Sequence, residues 1–235
     1  MSYTNSVIEY NNAIKNLWKT EFKNTSNKTK VKFTQPCFHV PQSESPVWFI
    51  GMNPSFVEKS SDGQNVILTQ NSNLTENLTL QLIQHQREMH DCLPYFKKAR
   101  DFFVSDVGIT ELATPIFHDL YPIRHTKQNE FEKFLDQNSS LCDLLDEATV
   151  KLITGAMPDL IIIANAGASR RIQRMRNLFQ PNVDRNATTL TFEANGKKTD
   201  VIFSSMLSGQ RALDIFSRSR LAKEVRENWN SRNNK

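Results

Sequence analysis

Cysteine is scarce in this chain. Its 235 residues hold three, Cys37, Cys92 and Cys142, far apart and with no C-x-x-C pair, which excludes a disulfide framework or a thiolate metal cage and leaves reduced thiols as the expectation. Glycine (7) and proline (9) are few as well, excluding collagen-like repeats and Gly-rich linkers. Long apolar runs are missing: residues 47–50 and 160–164 fall far short of the ~20 residues a membrane span needs, and the polar start MSYTNSVIEYNN has no signal-peptide core. Walker loops, dinucleotide fingerprints and the Gly-x-Ser-x-Gly elbow are also absent. His85 and His90, five apart on a helix, point about 140° away from each other and make a poor metal pair. The expectation is a cytosolic protein with no cofactor, no metal and no membrane partner.

What the chain does have is a core and an uneven charge. Apolar residues make up 38 % and include 15 Phe, enough for one well-packed domain over 1–235, with 1–32 as an N-terminal helix and polar connection and 230–235 as a disordered tail. The net charge of +4 hides an asymmetry. Residues 1–150 carry 14 Lys and Arg against 18 Asp and Glu, whereas residues 151–235 carry 15 against 7. A basic excess confined to one part of the chain is the footprint expected for nucleic acid, and a solvated enzyme face leaves the same mark.

Periodicity divides the chain into alternating elements. Residues 4–23 repeat apolar positions at helical spacing, and the block VWFI stops at Gly51 and Pro54 as a buried strand ending in a loop does. Residues 57–72 read as loop, 74–90 and 95–104 as helices, 114–120 as a strand, and 131–152 as one helical run. LIIIA at 160–164 is the clearest strand, unbroken and suited to burial on both faces. It feeds a helix bearing Arg170, Arg171, Arg174 and Arg176. Strands at 188–192 and 201–204 flank an Asn-Gly turn at 195–196, and a last helix covers 218–229. The pattern predicts an α/β fold, a three-layer α/β/α arrangement around a mainly parallel sheet of about four strands. Working residues then belong in the loops after the carboxyl ends of those strands.

The strand-end segments are Gly51-Met52-Asn53-Pro54-Ser55-Phe56, Phe117-His118-Asp119-Leu120-Tyr121-Pro122, the 164–169 turn through Asn165, and Ser204-Ser205-Met206-Leu207-Ser208-Gly209-Gln210-Arg211. Together they resemble the uracil-DNA glycosylase superfamily, nearest its mismatch-specific uracil and thymine branch. The resemblance spans about residues 47–222. Gly-x-Asn-Pro is similar to the water-positioning motif, and 204–211 is similar to the minor-groove loop that pushes a wedge into the base stack. One departure is plain: Phe203-Ser204-Ser205 stands where the family often has His or Asn before Pro-Ser, so that segment offers no histidine to a departing base.

The resemblance implies a monofunctional DNA glycosylase, a monomer acting on double-stranded DNA with one nucleotide flipped out. Asn53 would hold the attacking water, with Pro54 biasing its backbone towards an extended form. Asp119 would lie at the Watson–Crick edge of the base. A carboxylate only accepts hydrogen bonds, so it suits the N4 amino group of cytosine and repels the O4 of uracil or thymine. Two other roles for Asp119 stay open: general base towards water, or cap of the following turn. Gly51, Met52, Pro54, Ser55, Phe56, His118, Tyr121 and Asn165 would line the base pocket, although strand alternation turns His118 away from Asp119. Ser205, Met206, Leu207, Ser208, Gly209, Gln210 and Arg211 would grip the strand, with Leu207 as wedge, while Arg170 and Arg171 form a basic rim. A strand-to-helix loop with Leu207 simply in the core is the structural alternative. The expected substrate is a modified, cytosine-type pyrimidine, such as the bulky cytosines of viral DNA. Uracil or mismatched-thymine excision, or a catalytically silent DNA-binding protein, are the alternatives.

Overall fold

The computed structural model describes residues 2–22, 36–52, 74–123, 128–179, 189–207 and 212–233. Among them run seven α-helices and five strands: α1 (Tyr3–Leu17), β1 (Val47–Gly51), α2 (Glu76–Cys92), α3 (Pro94–Asp101), β2 (Ile116–Asp119), α4 (Gln128–Gln137), α5 (Ser139–Ala156), β3 (Leu160–Ile163), α6 (Ala166–Phe179), β4 (Thr189–Ala194), β5 (Lys197–Phe203) and α7 (Ile215–Asn233). The chain forms two compact units. One gathers Met1–Pro41, Met52–Glu88 and Asp119–Gly155; the other gathers Gln42–Gly51, Met89–His118 and Ala156–Lys235.

The second unit carries the sheet, in the order β2-β1-β3-β5-β4. β1 pairs parallel with β3 (Ile50 opposite Ile163), and β3 parallel with β5 (Ile163 opposite Phe203). The sheet has five strands rather than about four, the fifth being β4, which lies antiparallel to β5 at the edge. Asn195 and Gly196 join this pair at φ +54° and +73°, the double left-handed geometry of a tight hairpin turn that matches strand twist. Pairing in this hairpin carries β5 back to Lys197, through polar residues that apolar patterning alone left out.

Strands β1 and β3 are buried along their whole length, as a central parallel pair covered on both faces requires. On one face Val47, Phe49, Phe117, Leu160, Ile162 and Ile202 pack with Phe96, Ala99, Phe102 and Phe103 from α3 and the turn after it, and with Leu221, Ala222, Val225 and Trp229 of α7. The alternate residues Trp48, Ile50, Ile161, Ile163 and Val201 are buried too. Helix α6, which follows β3, buries Ala168, Ile172 and Met175 outside that first cluster. This architecture is mixed α/β with a mostly parallel sheet, compatible with three α/β/α layers.

Local chemistry sets the element ends. α3 runs into a π-helical turn, Phe102–Val107, that stops where Gly108 takes φ +68° and donates its N–H to the Phe103 carbonyl at 2.9 Å. The 131–152 run is two helices, not one, because Asn138 turns its amide back onto the Phe134 carbonyl (2.8 Å), while its own carbonyl starts α5 by accepting from Cys142. α7 begins at Ile215, three residues before its expected start, since Asp214 caps it by accepting from the Ser217 N–H at 2.8 Å and hydroxyl at 2.9 Å.

Helix α7 also continues through residues 230–233, which correct the expected tail. Arg232 ties that end down: its guanidinium reaches Asp200 at 2.7 Å, Asp159 at 3.1 Å and the Lys198 carbonyl at 2.6 Å. Residues 234–235, the polar connection at 23–32 and the 57–72 loop lie outside the described residues.

In the first unit, α1 buries Tyr3, Val7, Tyr10 and Ile14. The Asn11 side-chain amide pairs with the His39 backbone in both directions, at 2.8 and 2.9 Å, and Tyr3 Oη lies 3.1 Å from His39 Nε2. These bonds replace ladder partners for a segment, 36–40, that is neither helix nor regular strand. No helix among the described residues is long and apolar enough to cross a membrane.

Candidate functional site at the carboxyl ends of the strands

The registers bring three of the four expected segments to one end of the sheet. Beyond the last paired residues the ladder carries on: the Ala164 N–H donates to the Ile50 carbonyl at 2.9 Å, and the Ser204 N–H to the Ile163 carbonyl at 2.8 Å. Gly51, Asn165 and Ser204 therefore follow adjacent strands at the same edge. The fourth segment joins through Tyr121, whose N–H donates to the Met52 carbonyl at 3.0 Å, so β1 and β2 also end side by side. The chain goes from β1 to β2 in one direction across the sheet, and from β3 to β4 and back to β5 on the other side. In α/β sheets whose connections leave neighbouring strands in opposite directions, ligands bind beyond the carboxyl ends of those strands.

Side-chain detail separates the expected site residues. Asn53, Pro54, Ser55 and Phe56, and likewise Ser208, Gly209, Gln210 and Arg211, lie outside the described residues. Asp119 is half-buried at the end of β2. Its carboxylate acts on Tyr10, whose phenol is pushed above its ordinary range by burial first, then by Cys37 and by Asp119. The Thr149 side chain, hydrogen-bonded to Tyr10, opposes that shift, and Thr149 Oγ1 also donates to the Leu120 carbonyl at 3.2 Å. A half-buried carboxylate can accept a hydrogen bond from an amino group or a water.

Several neighbours have structural work. Asn165 Oδ1 accepts from the Gly167 and Ala168 N–H groups at 2.7 and 3.2 Å, making it the N-cap of α6. Tyr121, expected in the base pocket, is instead fully buried: its hydroxyl donates to Asp146 Oδ1 at 2.9 Å and its ring meets Phe131 edge-on. His118 is buried against Trp48, ring centroids 6.0 Å apart. Burial, and secondarily His90, pushes its pKa from 6.5 down to about 3, so it stays neutral and makes no cationic electrophile at neutral pH. Met52 is buried, and its carbonyl is the group that holds Tyr121.

The DNA-facing expectations divide in the same way. Ser205 is exposed and Ser204 half-buried, its hydroxyl 3.2 Å from the Ser205 carbonyl. Met206 pairs with Ala212 in a single parallel bridge, and its carbonyl accepts from the Leu213 N–H at 2.8 Å, which closes the base of the loop between them. Leu207 is not a projecting wedge: it is 6 % exposed and packs in the cluster with Val47, Phe49 and Leu221. An apolar side chain next to a core strand gains more from burial there than from pointing into water. Arg170 and Arg174 are exposed, whereas Arg171 is buried and offers no rim charge.

Sequence reasoning missed two features here. Ile215 and Phe216, placed before the expected helix start, are 73 % and 78 % exposed at the first turn of α7. Asp214-x-x-Ser217 was the readable signal, a capping residue directly before an apolar pair. The second is the charge of Asp119 acting on the Tyr10 phenol, an interaction between residues far apart in sequence with no local signature. Among the described residues no group of three His, Cys, Asp or Glu side chains converges as metal ligands do. No protein-family model matches the chain, and no curated protein matches it either.

Proposed function

We propose that the protein is a monofunctional DNA glycosylase that excises a flipped, cytosine-type pyrimidine base and leaves an abasic site. The observation that carries this reading is the convergence of Gly51, Asn165 and Ser204 at the carboxyl edge of β1, β3 and β5, with Tyr121 holding the β2 end beside Met52. The four short segments that resemble one enzyme superfamily are spread over about 160 residues of sequence, yet the strands that precede them are neighbours in one sheet, and such sheets bind ligands beyond their carboxyl ends.

The chemistry needs little from a nucleophile. In N-glycosidic cleavage the sugar gains oxocarbenium character while the base leaves with negative charge, so positioning and electrostatics dominate. Asn53 holds the water through its amide oxygen. Asp119, acceptor-only and half-buried, takes the hydrogen of a cytosine N4 amino group. His118, neutral and packed on Trp48, takes no part in proton transfer. The basic excess of residues 151–235 supplies non-specific attraction to phosphate that weakens with salt.

Asp119 is the residue that tests base choice. With uracil its carboxylate opposes an oxygen, two acceptors in one desolvated contact, which discriminates by ~10²-fold or more. Asp119→Asn supplies a donor, so single-turnover rates on matched duplexes should shift towards uracil over cytosine-type bases. A native preference for uracil removes the base-reading role, and equal loss on every base assigns Asp119 to activating water.

A further inference from the structure

The proposed function requires an apolar side chain to occupy the gap left by an everted base, and Leu207 is withdrawn into the core. The structure offers a different pair. Ile215 and Phe216 are the most exposed large apolar residues among those described, adjacent in sequence and on the first turn of α7. They are also held rigidly. Leu213 is anchored by its N–H to the Met206 carbonyl, and Asp214 caps the helix through Ser217, bonds that keep its carboxyl below the usual range. One turn on, Arg218 Nε donates to Asp106 Oδ2 at 3.0 Å, and Arg226 donates to the Asp106 carbonyl. Asp106, in the π-helical turn, thereby holds α7 at two points on the carboxyl side of the pair.

The surroundings state which partner suits this prong. Through Met206 it adjoins the carboxyl edge of β5, the edge that also carries Gly51 and Asn165. Arg220, exposed, turns back to donate to Ser217 Oγ at 3.1 Å, which sets a guanidinium beside the start of α7. α7 carries five basic residues against two acidic ones, and although Arg218, Lys223 and Arg232 are engaged in ion pairs, Arg220 at its start is not among them. An apolar tip next to arginine and serine suits a base stack flanked by phosphates, because unstacked bases present apolar faces between negative charges.

We propose that Ile215 and Phe216 are the wedge: they enter the base stack of duplex DNA and fill the space of the extruded nucleotide, while Arg220 meets an adjacent phosphate. This inference rests on the glycosylase reading and assigns it a positioning element; neither residue touches the reacting bond.

The test uses the full chain and two duplexes, one fully paired and one with a tetrahydrofuran abasic analogue beside a 2-aminopurine. Anisotropy reads affinity, and 2-aminopurine fluorescence reads intrusion into the stack. The native protein should bind the abasic duplex and change the fluorescence about twofold. Ile215→Ser/Phe216→Ser should lose that change, bind the abasic duplex about tenfold more weakly and the paired duplex within about twofold of native. Because both side chains are exposed, its melting midpoint should stay at the native value, whereas Leu207→Ala should melt earlier yet keep the fluorescence change. A full fluorescence change in the double variant overturns the inference and leaves the glycosylase reading standing. So does a native protein that sediments as a dimer which the double variant dissociates, since the pair then serves a copy of the chain. A native protein that binds neither duplex overturns both.

Discussion

Lowering the pH below neutrality should destabilise this protein through one side chain, His118. Its imidazole is buried in β2 beside Trp48, and burial depresses its pKa from 6.5 to about 3. Between those values the unfolded chain binds a proton that the folded chain refuses, so stability rises with pH across this window and is complete above 6.5. Taking 1.36 kcal/mol per pKa unit, a single such group costs about 2 kcal/mol between pH 7 and pH 5. His118→Phe keeps an aromatic ring of similar size against Trp48 and removes the titration. Urea unfolding at pH 7 and pH 5 gives the change for each protein, and all other titrating groups cancel in the difference. The native protein should lose about 2 kcal/mol more than the variant over this interval. Equal losses would refute the reasoning, because the histidine would then ionise as readily folded as unfolded.

Three further substitutions separate structural from functional roles. Arg232→Ala should cost ~1–3 kcal/mol in urea unfolding, since it removes the guanidinium from Asp200, whose side chain is only 15 % exposed and keeps only its bond from the Thr191 hydroxyl, and frees the end of α7; a change within error would return 230–233 to the status of a tail. Asn165→Ala should cost ~1 kcal/mol as the loss of an N-cap, with excision rates following stability alone; a much larger fall in rate at unchanged affinity would make Asn165 a ligand of the base. Asn53→Ala should slow single-turnover excision ~10²-fold or more while leaving DNA affinity nearly intact, and full activity would remove Asn53 from the water.

What was readable in the sequence, and what was not, follows from the range of the forces involved. LIIIA and VWFI declare themselves because a strand buried on both faces must be apolar at every position, a purely local constraint. The Asn195-Gly196 hairpin is equally local: only residues tolerant of positive φ make that turn. By contrast Leu207 looks the same in sequence whether it projects or packs, and its burial depends on Val47, Phe49 and Leu221, all brought there by tertiary structure. The polar half of β5 was missed because its partner, β4, rather than its own hydrophobicity, makes it a strand. Asn138 broke an apparently continuous helix through one side-chain hydrogen bond, which apolar periodicity does not register. At the site, the expectation of working residues after strand ends was legible from the alternation of strands and helices, whereas the engagement of Tyr121 with Asp146 and of Asn165 with the start of α6 became visible only with the side chains placed.

Base excision is decided by incubating the native protein with a panel of duplexes that each carry one defined base, cytosine, modified cytosines, uracil or mismatched thymine, followed by alkaline strand cleavage. Cleavage is expected at the position of a cytosine-type base, with the free base released intact and no cleavage before alkali. Stable binding of the duplexes with no alkali-sensitive site on any of them would contradict it and leave a DNA-binding protein without glycosylase chemistry.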